Sequence, residues 1–65
     1  MTKKTLEKLS PSVRSHIEKF KEDLKKHPEF RGEIRFQLLG YVDALEETGT
    51  VSEQERRVLL SYATL

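Results

Sequence analysis

Apolar residues return every three or four positions along most of this chain, and breaks in that rhythm divide it into three segments. In the first, Leu6, Leu9, Val13, Ile17, Phe20 and Leu24 fall within about 80° of one another at 100° per residue, a single stripe on one helix face. Ser10-Pro11 interrupts its start. Serine is a good N-cap and proline is tolerated at the first helical position, so a regular helix is predicted over 11–26, with residues 4–9 as a short lead-in helix or ordered arm. Pro28 disfavours helical backbone at His27 and so ends that helix. It also opens the next, predicted over 28–48, with Glu29 and Glu33 near the positive end of the helix dipole. Gly49 is free to take the left-handed conformation that closes a helix. Ser52 and Glu55 have the spacing of a capping box, which starts a third helix over 52–63 with Val58, Leu59, Tyr62 and Leu65 on or near one face. No stretch alternates with period two. The pattern predicts an all-α chain, a compact three-helix bundle forming one domain over 1–65.

The second predicted helix carries apolar residues on two faces. Phe30, Ile34, Leu38, Tyr41 and Leu45 gather on an arc of about 80°, suited to packing on the first helix. Phe36 and Leu39 point roughly 150° away from the centre of that arc. Gly32, Phe36, Gly40 and Ala44 form a ladder with four-residue spacing, three of its four members small. A glycine inside a helix costs about 1 kcal/mol relative to alanine, so two in one helix suggest that another backbone passes close by, with a loop or a kink as the alternative. Two arrangements fit. The helix is central, with a neighbour on either side, or Phe36, Leu39 and Leu60 stay uncovered and bury against another chain. Leu60 belongs with them because it points away from the Val58, Tyr62 and Leu65 face and lies among Arg56, Arg57 and Glu53. The second arrangement makes Phe36, Leu39, Gly40 and Leu60 the expected protein-binding residues.

Size sharpens that expectation. A chain of 65 residues buries only about 60% of its unfolded surface and is marginally stable, so small domains often need a staple. With no cysteine there is no disulfide, and the two histidines, His16 and His27, lie eleven residues apart away from any acidic ligand cluster. No metal or other cofactor is expected. Association remains, with a homodimer as the first expectation and a larger host protein as the other partner.

Net charge is +1, but ten Lys/Arg against six Asp/Glu in residues 1–35 give +4, while two against five in 36–65 give −3. Arg14, Lys19, Lys21, Lys25 and Lys26 could track a nucleic-acid backbone, which makes nucleic-acid binding the alternative function. Glu18, Glu22 and Asp23 interleave with them, and no aromatic residue interrupts the charged face to stack on bases. Nor does Gly49 sit in a DNA-reading helix-turn-helix. The helix that would enter the groove begins Glu53, Gln54, Glu55, and carboxylates there would face phosphates. No phosphate loop, nucleophile elbow or cysteine nucleophile is present. His16 beside Ser12 and Ser15 is a coincidence of helix spacing, and Asp43, Glu46 and Glu47 form a solvated stripe. No enzymatic activity is expected. No run approaches the roughly 20 apolar residues of a membrane span, and "MTKKTLEKLS" lacks the apolar core of a secretory signal, so a cytoplasmic protein without membrane contact is expected.

The stretch "LLGYVDALEETGTVSEQERRVLLSYAT" resembles the helical hairpin of short accessory proteins from phages and mobile elements of Gram-positive bacteria. The likeness lies in Gly40-Tyr41, Ala44-Leu45, Gly49, the run from Ser52 to Arg57, and Tyr62, and covers under half the chain. Such hairpins usually place an apolar residue after the turn glycine, where this chain has Thr50 and then Val51. The resemblance implies a small protein that acts by binding, for instance by inhibiting a host defence or replication protein.

Overall fold

The computed structural model describes residues 2–64, with Thr2 and Lys3 described by their backbone alone. The elements are α1 (Thr2–Lys8), α2 (Pro11–Lys26), a 3-10 turn (Pro28–Phe30), α3 (Arg31–Glu47) and α4 (Glu53–Thr64), with no strand among the described residues. The fold is all-α. Three long helices make the bundle, and the lead-in segment is itself a helix that packs on α4.

Each junction has a local cause. The Ser10 hydroxyl accepts from the Val13 N–H at 3.3 Å and Pro11 opens α2, which ends at His27 before Pro28. Gly49, at φ +78°, reverses the chain after α3. Its N–H donates to the Glu46 carbonyl at 3.0 Å and that of Thr50 to Leu45 at 2.9 Å, the two bonds of a Schellman motif. The capping box then forms in full. The Glu55 N–H donates to Ser52 Oγ at 3.1 Å, and the Ser52 N–H donates to Glu55 Oε1 at 2.9 Å.

The start of α3 departs from the pattern. Pro28 opens a 3-10 turn instead of the α-helix predicted from 28, and Phe30 sits outside helical geometry at φ −109°, ψ 17°. A 3-10 turn has three residues per revolution, which takes Phe30 out of phase with Ile34. Phe30 is therefore 51% exposed and does not belong to the core arc.

Ile17, Leu38, Val42 and Leu59 are wholly buried, one each from α2 and α4 and two from α3, and Leu9, Leu24, Val51 and Ala63 close around them. Leu6, Val13, Phe20, Ile34, Tyr41, Leu45, Leu60 and Tyr62 pack at the margin. Of the expected α4 face, Leu59 is in the core and Tyr62 packs at its margin, while Ala63 and not Val58 completes the buried face; Leu65 lies outside the described residues. Leu60 is about 80° from the centre of the observed face, which explains why it is half-buried against the core instead of exposed.

Because Leu59 closes the middle of this small core, Leu59→Ala should destabilise the fold by about 2–5 kcal/mol. The measurement is urea unfolding followed by circular dichroism. An unchanged midpoint would mean that α4 is not held by this contact.

Candidate interaction surface

α3 packs against both α2 and α4, and side-chain contacts show where each neighbour lies. On one flank Tyr41 stacks on His16 of α2, with ring centroids 5.3 Å apart and planes 21° apart, and meets Phe20 at 5.8 Å. On the other flank Arg56 of α4 approaches Asp43 at 3.3 Å and Glu46 at 2.7 Å. Both neighbours therefore use the half of α3 that carries Leu38 and Val42. The opposite half is open: Gly32, Glu33, Phe36, Gln37, Gly40, Ala44 and Glu47 are all exposed.

Phe36 stands in the middle of this open half and is 78% exposed. Leu39 is half-buried at the edge nearest α4, and Gly40 is exposed beside Phe36. Of the four expected protein-binding residues, then, Phe36 and Gly40 lie fully on the surface, Leu39 borders it, and Leu60 is largely committed to the core. The glycines differ from expectation in an informative way. A methyl group built on Gly32 or Gly40 meets nothing within 4 Å, and neither residue has positive φ. Among the described residues no neighbouring backbone passes close to them.

The cations of α2 do not form one free stripe. Lys26 is held by Glu22 at 2.6 Å, and this contact lowers the Glu22 pKa and raises that of Lys26. The Lys21 ammonium lies 3.8 Å from the centre of the Tyr62 ring. The Tyr62 hydroxyl donates to the Glu18 carboxylate, which pushes the phenol pKa up, with burial adding to the effect. Lys19 and Lys25 are exposed, and Arg14 is half-buried. At 100° per residue Arg14, Lys21 and Lys25 fall on one flank, while Lys19 and Lys26 lie more than about 90° away.

Other candidate chemistry is absorbed by the fold. His16 Nδ1 donates to the Ser12 main-chain carbonyl at 2.9 Å, which leaves the Ser12 hydroxyl out of the contact. Asp43 and Glu46 serve Arg56, and among the described residues no group of three His, Cys, Asp or Glu side chains is placed to hold a metal ion. No helix among them is long and apolar enough to cross a membrane. Lys8 of α1 donates to Glu55 Oε2 of α4 at 2.9 Å. That bond, with the Ser52 N–H after it, holds the Glu55 carboxyl below its ordinary pKa.

Two predictions follow from these placements. Gly40→Ala should stabilise the isolated chain by up to about 1 kcal/mol, since the methyl group has room and alanine is the better helix former. A lower melting temperature at micromolar concentration would show that the space is not open. A depressed carboxylate pKa stabilises the fold above the ordinary carboxylate range, and that contribution is lost as pH falls through the folded-state value. Glu55→Gln preserves the capping geometry but removes this titration. It should therefore flatten the fall in melting temperature between about pH 5 and pH 2, and an unaltered acid limb would refute the assignment.

Comparison of the chain with protein-family models, with curated proteins and with solved structures finds no match.

Proposed function

We propose that this protein is a non-enzymatic protein-interaction module that associates with a second copy of itself through the open face of α3 and the adjoining edge of α4. The observation that carries the proposal is Phe36, a large apolar side chain 78% exposed in the middle of the longest helix. Burying a phenylalanine contributes about 1.5–3 kcal/mol before the costs of association. That is a substantial fraction of the stability of so small a domain. The open surroundings of Gly32 and Gly40 add support. Two interior glycines weaken α3, and no contact among the described residues requires either of them. In this proposal the protein is cytoplasmic and belongs with the small accessory proteins of phages and mobile elements. The same face would also serve to bind, and thereby inhibit, a larger host protein.

A nucleic-acid role draws less support, because Lys21 and Lys26 are engaged within the chain and the remaining α2 cations are split between two flanks.

Sedimentation equilibrium across a wide concentration range tests the proposal. The wild type should shift from one-chain to two-chain mass as concentration rises. Phe36→Glu should hold the one-chain mass with unchanged helical circular dichroism. A wild type that stays at one-chain mass throughout would overturn self-association.

A further inference from the structure

We propose that the open side of α3 takes a cationic amphipathic helix of a partner protein, laid along the line from Glu33 to Glu47 over Phe36 and Gly40. This inference rests on the reading of that side as a contact surface and adds the chemistry of the larger partner.

At 100° per residue Glu33, Phe36, Gly40 and Glu47 fall within about 60° of one another, on the side of α3 away from Leu38 and Val42. All four are exposed. The charges on this line are negative, and no lysine or arginine stands among the exposed residues of the open half. Arg31 and Arg35 share the helical phase of the buried Leu38 and Val42 instead. Neither Glu33 nor Glu47 joins an ion pair among the described residues. Glu47 is also the last residue of α3, where the helix dipole disfavours an anion, and the last turn holds no basic residue to offset it. A cation brought by a partner therefore gains most beside Glu47, with a second beside Glu33.

The apolar part of the surface is wider than Phe36. Phe30, itself 51% exposed, lines a groove with Glu33, Ile34 and Gln37, and Asp23 and His27 close it from the other side. Glu33 and Gln37 thus lie between two exposed phenylalanine rings. Asp23 brings a third carboxylate to the groove, and His27 is paired with Glu29 at 3.3 Å. Lys19 of α2 borders the next depression along, with His16 and Phe20, on the α2 side of Gln37. One turn on from Phe36, a methyl group built on Gly40 meets nothing within 4 Å, so the backbone of a docking helix has room to come close there.

A second copy is the weaker occupant of this line. Parallel pairing of α3 with α3 sets each glutamate against its own copy, and antiparallel pairing centred on Gly40 sets Glu33 level with Glu47. Self-association gains from Phe36 against that repulsion, whereas a cationic helix gains from the ring and from the carboxylates, so the partner displaces the copy. Between Glu33 and Glu47 the helix rises about 21 Å, and the partner's outer cations stand that far apart with apolar residues between them.

A synthetic helical peptide of about 18 residues spans that distance and serves as the probe. It carries one stripe of leucine and alanine flanked by lysines. One control has glutamate in place of lysine, and a second has the same residues in an order that breaks the stripe. Binding to the full chain is measured by fluorescence anisotropy of labelled peptide at low salt, with circular dichroism as a control for the folding of each variant. The lysine probe should bind and neither control should. Phe36→Ala should weaken binding about tenfold. Glu33→Gln and Glu47→Gln should each weaken it roughly threefold, an effect that added salt removes. In sedimentation equilibrium the probe should also convert the two-chain species to one chain with one peptide. If the broken-stripe control binds as well as the probe, or Phe36→Ala leaves the affinity unchanged, the attraction is one of bulk charge and the proposal is overturned. A chain that dimerises but does not bind the probe overturns the partner class while self-association stands. A chain that binds the probe without reaching two-chain mass overturns self-association and leaves the cationic partner in place.

Discussion

The whole arrangement depends on α3 burying one side only. Leu38 and Val42 meet Ile17 of α2 and Leu59 of α4 in a core where these four side chains have no solvent exposure. Both neighbours converge on that side because each of the other long helices has a single apolar face to offer. A helix packed by two partners on one side keeps its other side open, and here that side holds Phe36. The exposed aromatic is therefore a consequence of how the core closes, not of a loose or unfinished bundle.

Polar contacts hold the helices in that arrangement. The Schellman turn at Gly49 and the capping box at Ser52 determine how α4 leaves α3, and Arg56 joins the two helices again at Asp43 and Glu46. Tyr62 links α4 to α2 through Glu18 and Lys21, while Lys8 links α1 to α4 through Glu55. Several of these contacts join the basic first half of the chain to the acidic second half. Among the described residues one ion pair, Lys8–Glu55, joins a cation of the first half to a carboxylate of the second. An exposed ion pair contributes little by itself, so their combined role is to select one packing of the helices.

Capping and proline rules made the helix ends legible in the sequence, because the groups that satisfy a helix terminus lie within a few residues of it. The depth of individual residues was less legible. Ala63 is a core residue that a count of bulky side chains overlooks, and its small size marks where helices approach closely. It turns the buried face of α4 toward Leu60. Val42 lies about 40° outside the expected α3 arc, yet it is wholly buried because α4 extends the core to that flank. Val51, which stands after the turn in place of an immediately following apolar residue, is buried as well. Helical phase alone set Phe36 opposite the core arc but left open whether a second neighbouring helix covers that side; the structure shows Phe36 and Gly40 exposed. What the glycines mean was not legible either, since a glycine facing a neighbouring helix and one facing open space look the same in sequence.

The central claim is that the side of α3 opposite the core is the contact surface. Amide chemical shifts of the wild-type protein, followed over a wide concentration range, test it most directly. The account predicts concentration-dependent shifts concentrated on Arg31 to Glu47, strongest around Phe36, Leu39 and Gly40, with the solvent face of α2 near Lys19 and Lys26 unchanged. Shifts centred on α2 instead, or spectra that do not change with concentration, would contradict it.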